Sequence, residues 1–156
     1  MPFATLRSTR RIGILLAWLV AAGSVWTASS VAGPKGAHRV TLHIAIGSKS
    51  MTATLEDNPT ARDFAALLPL TVTLREFSPA EKVSGALPRR LSEEGAPATD
   101  AGAVGDIAYY APWGNIALYR GQGPDAAGVI KIARITSGME ALQQPGQVRV
   151  TISRAK

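Results

Sequence analysis

The sequence predicts a mostly β domain, a sandwich or a barrel with one short helix, standing behind a signal peptide. Three observations carry that reading. Several short segments alternate apolar with polar residues at period two, and turn chemistry lies between them. A single stretch shows helical spacing. The first 32 residues have the three-part anatomy of a secretory leader.

In the leader, Arg7, Arg10 and Arg11 form a positive start, residues 12–26 are an uncharged apolar run, and Ser30-Val31-Ala32 places small side chains where a signal peptidase reads them. Cleavage is expected after Ala32. The 15-residue run is shorter than the roughly 20 apolar residues a membrane span needs, so a retained anchor is the secondary reading. The membrane is therefore met only through this segment before cleavage. Arg10-Arg11 suggests a twin-arginine route, but Gly13 stands where that signal wants a bulky apolar residue. A leader of this shape fits a bacterial export route, so the chain is expected in the periplasm or outside the cell. Residues 33–38 read as a polar linker, and residues 39–156 as one domain.

Composition excludes several functions. The chain has no cysteine, which removes disulfides, thiolate catalysis and Cys-based zinc sites. Of its 17 basic residues three lie in the leader, so 14 remain against 11 acidic ones, a net charge of +3. That mild and scattered charge argues against a nucleic-acid partner. His38 and His43 are too few for a metal site, since zinc needs three or four convergent ligands. No glycine-rich phosphate loop follows a strand into a helix, so no cofactor is expected. Nor is any nucleophile–histidine arrangement legible.

The elements follow in order. Val40, Leu42, Ile44 and Ile46 alternate with polar or small residues, which predicts a half-buried strand. Gly47-Ser48-Lys49-Ser50 is turn chemistry, and residues 51–55 return as a hairpin partner. Asn58 can cap a helix that has Pro59 in its first turn, and Thr60 with Asp63 is a competing cap. Either predicts a helix over residues 61–68, with Phe64, Leu67 and Leu68 on one face and Pro69 ending it.

Leu70, Val72 and Leu74 alternate again, with Arg75 facing water. Residues 78–105 are rich in Pro, Gly, Ala and charge and read as long loops, with Glu93-Glu94 solvated. Residues 106–110 and 115–119 are strands joined by the tight link Ala111-Pro112-Trp113-Gly114. Asp106, at a strand start, is expected to bond loop N–H groups. Residues 121–128 read as a loop, 129–135 as a strand, 138–142 as one helical turn, and 148–152 as a closing strand. The total is about seven strands.

Between Leu67 and Leu142 the chain resembles a known family. Leu67-Leu68-Pro69-Leu70-Thr71 is similar to its helix-to-strand junction. Glu81-Lys82 and Leu91-Ser92-Glu93-Glu94-Gly95-Ala96-Pro97 are similar to its central loop. Residues 105–118, Gly-Asp-Ile-Ala-Tyr-Tyr-Ala-Pro-Trp-Gly-Asn-Ile-Ala-Leu, resemble its most distinctive motif, and residues 129–135 with Ser137-Gly138 its closing segment. The resemblance is to the small bacterial cyclophilin-like proteins. It implies a closed, eight-stranded antiparallel β-barrel with a helix at its side. True cyclophilins are similar in architecture and isomerise X-Pro bonds with an arginine on a strand, a Phe-x-x-Gln segment, a core Phe, a Trp and a His. That set has no counterpart here, since Phe64 is followed three residues on by Leu67 and Phe77 by Ala80.

Tyr109, Tyr110, Pro112, Trp113, Tyr119 and Arg120 form the richest local constellation. Aromatic rings with polar tips suit a peptide or planar ligand, and the arginine fork suits a carboxylate or carbonyl. Strand alternation sends Tyr109 and Tyr110 to opposite faces, so at most one of them fills the interior. The expectation is a non-catalytic, exported barrel that binds a peptide or small molecule. The alternatives are a diverged prolyl isomerase, a small-molecule enzyme with convergent titratable groups, or an assembly role through a sheet edge.

Overall fold

A computed structural model describes residues 39–156 of the chain; the expected leader and linker lie outside the described residues. Ten strands are present there: β1 (Thr41–Ile46), β2 (Lys49–Leu55), β3 (Leu70–Ser78), β4 (Glu81–Val83), β5 (Thr99–Ala101), β6 (Asp106–Tyr110), β7 (Asn115–Tyr119), β8 (Asp125–Ala127), β9 (Val129–Ser137) and β10 (Val148–Arg154). Eight of them close into an antiparallel barrel in the order β1-β10-β3-β4-β7-β6-β9-β2, while β5 and β8 pair separately.

Period-two alternation builds the barrel. Leu42, Ile44 and Ile46 of β1 are buried, and Val150 and Ile152 of the paired β10 lie opposite them. Ile107 and Tyr109 of β6, Ile116 and Leu118 of β7, and Ile130 and Ile132 of β9 complete one interior cluster. Burying a side chain of this size contributes about 1.5–3 kcal/mol, so the inward faces dominate the stability.

Helix α1 (Pro59–Ala65) packs Ala61 and Phe64 into this interior cluster. Asn58 is its cap: the side-chain oxygen accepts from the Ala61 N–H at 2.8 Å. The amide nitrogen of Asn58 donates to the Lys131 carbonyl at 2.8 Å, tying the helix start to β9. Thr60 and Asp63, the competing cap, serve another purpose. The Thr60 hydroxyl donates to Ser92 O at 2.6 Å, and Asp63 accepts from Ser92 N at 2.8 Å and from both Arg89 end nitrogens at 3.0 Å. Together they hold the loop that follows β4 against the helix. Phe64 is wholly buried, and the helix ends at Ala65, three residues before the expected stop.

The loop expected over residues 78–105 hides a barrel strand. β4 joins β3 to β7, and all three of its residues are buried. The sequence Glu-Lys-Val shows no apolar alternation because Lys82 itself points inward. Its side chain is 0% exposed and reaches Glu76 at 2.6 Å and Gly146 O at 2.7 Å. β5 and β8, also expected as loop, are three residues each and carry no large apolar side chain. The remaining differences are at element ends. The first turn is only Gly47-Ser48, and β3, β9 and β10 run two to four residues further than the alternation suggested. The helical turn near residue 140 is a 3₁₀ segment, Met139–Gln143.

Two predictions follow from these anchors. Asn58→Ala loses both the cap and the tie to β9 and costs about 1–2 kcal/mol in urea unfolding, whereas Asn58→Asp keeps the cap and costs less. Glu76 and Asp63 are both held below the ordinary carboxylate range, Glu76 chiefly by its bond from Lys82 and then by Arg120, Asp63 chiefly by its bond from Arg89 and then by Ser92 N. A depressed folded pKa stabilises above the unfolded value and is lost as pH falls through the folded one. Stability therefore declines with acid below about pH 4.5, and Glu76→Gln flattens that decline while lowering the neutral-pH urea midpoint.

Candidate functional site

Alternation gives every barrel strand an outer face as well as an inner one, and on one side of this barrel the outer face is also apolar. Val83 of β4, Ala108 of β6, Ala117 and Tyr119 of β7, and Val129 of β9 form a second buried cluster outside the barrel wall. All five residues of β7 are buried, since both of its faces are covered. Ala126 of β8 packs on this outer cluster. The Lys131–Asp100 ion pair, at 3.4 Å, ties β9 to β5 in the same small sheet.

A groove of about 170 Å³ opens over this face. Its floor is Val83, Ala117 and Val129, and its walls include Phe77, Tyr110, Trp113, Tyr119 and Pro124. Trp113 stands at the mouth with Phe77 on one side and Tyr110 on the other. Both contacts are edge-to-face, with ring centroids 5.5 and 5.3 Å apart. Phe77 is 54% and Trp113 50% exposed, the two largest aromatic exposures in the described part.

Local geometry explains how each wall is placed. β3 and β4 slip register between Glu76 and Ser78, so Phe77 is the extra residue of a β-bulge, and such a bulge re-aims its side chain. Trp113 sits on the turn between β6 and β7. Gly114 takes a φ of +63° there, and its N–H donates to Tyr110 O at 2.9 Å to close the turn. The Tyr119 ring is clasped between Gly102 and Gly123: a Cβ on either glycine would overlap ring atoms. Asp106 steadies the adjoining loop as expected, accepting from Ala103 N at 2.9 Å, and it also takes Arg134 at 2.5 Å.

Asn115 and Glu81 bring acceptor atoms to the groove. Asn115 is 3% exposed; its Nδ2 donates to Ser84 O at 2.9 Å, which leaves its Oδ1 buried without a partner. Glu81 is 7% exposed, and no cation pairs with it among the described residues. Burial raises its carboxyl above the ordinary range, opposed in part by the Tyr119 hydroxyl acting as a hydrogen-bond donor. Burial and then the Glu81 charge push the Tyr119 phenol up in turn, so the phenol stays protonated and available as that donor.

Of the six residues expected at the site, the structure brings Tyr110, Trp113 and Tyr119 together on the groove. The other three lie elsewhere. Tyr109 fills the barrel interior at 0% exposure, and its hydroxyl accepts from Leu91 N at 3.3 Å. Pro112 is exposed on the turn but is directed at Gly128, whose added Cβ would meet the proline ring. Arg120 is spent on structure: it pairs with Glu76 at 2.5 Å and donates to Pro79 O at 3.0 Å and Leu142 O at 3.2 Å. Arg75 is exposed as expected and pairs across the sheet with Val83, yet it does not line the groove. Asn115 and Ala117 were within reach of the sequence, since they share the parity of Tyr119 in β7. Phe77 and Glu81 were not, because one depends on a bulge and the other on an unrecognised strand.

A closed eight-stranded antiparallel barrel with a side helix and an aromatic groove on its outer wall is the class the geometry defines. The comparison with family models agrees. Residues 44–153 match the Cyclophilin-like family, and the chain belongs to it. Among solved structures it is similar to the hypothetical protein AF2241 from Archaeoglobus fulgidus, determined in solution. The two are 23% identical with a TM-score of 0.57, over 79% of this chain and 100% of that one. The likeness is one of fold. No curated protein matches the chain.

The clasp around Tyr119 is testable by a double-mutant cycle. Gly102→Ala costs about 1–3 kcal/mol in urea unfolding because the methyl displaces the ring. In a Tyr119→Ala background the same substitution is near neutral, and the coupling between the two sites measures the contact.

Proposed function

We propose that the chain is an exported cyclophilin-like barrel that binds a peptide segment or a small ligand in the outer groove without catalysing a reaction on it. The observation that carries this reading is the exposed aromatic rim. Phe77 and Trp113 leave half their surface in water while touching each other at the mouth of an apolar depression. Exposed apolar surface gathered at a concavity is the usual mark of a binding face. The groove admits a short side chain or a small ring rather than a large cofactor.

The alternative, a diverged peptidyl-prolyl isomerase, has one feature in its favour: Arg75 lies on the same face of the sheet as Val83. Against it, neither Arg75 nor Arg120 lines the groove, and Arg120 is committed to Glu76. Two acceptors and a tyrosine donor stand there in place of a cationic one.

A proline-isomerisation assay separates the readings. The chain is expected to leave the uncatalysed relaxation, which takes on the order of tens to hundreds of seconds, unchanged. Acceleration abolished by Arg75→Ala or Trp113→Ala would make it an isomerase. Ligand binding is expected to change the fluorescence of Trp113, read as the difference between the chain and its Trp113→Phe variant. Tyr110→Ala should weaken that binding about fivefold, in keeping with the ~1 kcal/mol an aromatic pair contributes beyond its area.

A further inference from the structure

The groove's polar atoms are unusual for an apolar site: Asn115 Oδ1 has no donor, and the Glu81 carboxyl has the Tyr119 hydroxyl but no cation among the described residues. The direction of the Asn115 amide is set by its Nδ2 bond to Ser84 O, so it is the oxygen that remains buried and unpartnered. Glu81 is a carboxyl more than nine-tenths buried on the same wall. A buried carboxylate without a counter-charge costs several kcal/mol when ionised, and a ligand cation offsets that cost.

Apart from the exposed Arg75, the cations on the neighbouring elements are engaged elsewhere. Lys82, next along β4, points to the opposite face, where it bonds Glu76 and Gly146 O. Arg120, beyond Tyr119 on β7, is held by the same Glu76. On β3 the residue opposite Glu81 is Ser78, and Arg75 lies outside the groove. On the β6 and β9 side, Lys131 and Arg134 are engaged by Asp106, and Lys131 also by Asp100. Those two aspartates add to the negative potential that Tyr119 experiences.

We propose that the groove selects a cation: an alkylammonium group, whether of a free amine or of a lysine side chain, seated against Glu81 among the rings of Tyr110, Trp113 and Tyr119. This rests on the binding reading above and narrows it to one chemistry. An ammonium supplies the donor that Asn115 Oδ1 lacks and the counter-charge that Glu81 lacks, and aromatic walls attract it further. The apolar floor takes the alkyl stem. A neutral chain of the same length keeps the floor contact and forfeits the rest.

The test is a titration of the isotope-labelled full chain followed at the Trp113 indole N–H. Three probes are used: n-butylammonium chloride, N-acetyl-lysine amide, and N-acetyl-norleucine amide as the neutral match of the second. Both cations are expected to bind at least about tenfold more tightly than the neutral probe. Glu81→Gln should remove that preference while leaving the norleucine affinity in place. Binding of the ammonium should also lower the Glu81 carboxyl pKa, followed by carbon NMR on the unmutated chain, so the proposal is tested even if the variant folds poorly. If only the lysine probe binds, the cation belongs to a peptide; if butylammonium binds as well, a free amine suffices. Equal affinity for lysine and norleucine probes overturns the cation selectivity and leaves the groove as a binding site. No response at Trp113 to any probe overturns both.

Discussion

Closure of the barrel is the constraint on which the rest of this structure depends. Once eight strands are joined in a ring, each side chain is committed to the inside or the outside by its parity along the strand. Inside, Leu42, Ile44, Tyr109, Ile116 and Leu118 pack as a single apolar core. Outside, most positions can be polar, as Thr41 and His43 on β1 are. Over β4, β6, β7 and β9 they are not, and the outer cluster centred on Ala117 and Tyr119 is the consequence. The β5–β8 pair covers one side of that cluster and leaves the rest open as a groove. A rigid wall with an apolar outer face is a good foundation for recognition, since the floor is fixed by ladder hydrogen bonds on both sides of β7.

The edge of the groove is held by interactions that face the other way. Lys82, between the two groove residues Glu81 and Val83, points to the opposite face and pairs there with Glu76 across the sheet. Glu76 in turn binds Arg120, immediately after Tyr119. One carboxylate thus fixes the strands on either side of the groove wall while leaving Glu81 unpaired. The bulge at Phe77 lies between Glu76 and Ser78, so the same short stretch supplies the anchor and an aromatic wall. Position on the chain and position in the site are coupled closely here.

Those couplings explain what could be read in the residues and what could not. β1 and β10 were legible because their apolar residues keep strict parity, β6 and β7 because two short apolar runs flank a Pro-Trp-Gly turn, and the helix start because Asn58-Pro59 is a cap with a mechanism. β4 was hidden because a lysine occupies a core position, and its justification, Glu76 across the sheet, exists only after folding. The distinction between Tyr109 and Tyr110 was open in isolation, although Tyr109 shares the parity of the interior Ile107. Trp113 and Tyr110 stood out as neighbouring aromatics. Phe77 lies more than thirty residues upstream and joins them only through a register shift. Arg120 drew attention for a reason that is physically sound, since its fork does hold a carboxylate; the carboxylate is the protein's own.

The central claim is that the outer wall of the barrel, rather than its interior, its ends or a sheet edge, is where this protein meets its ligand. Chemical-shift mapping of the labelled full chain with the peptide amide N-acetyl-Ala-Lys-Pro-Ala tests it most directly. The account predicts that the shifted backbone amides cluster at Val83, Tyr110, Trp113, Ala117 and Tyr119, with Leu42, Ile44 and Ile152 unmoved. Shifts concentrated instead on β1, β2 or α1, or no shifts at peptide concentrations that saturate weak sites, would contradict it.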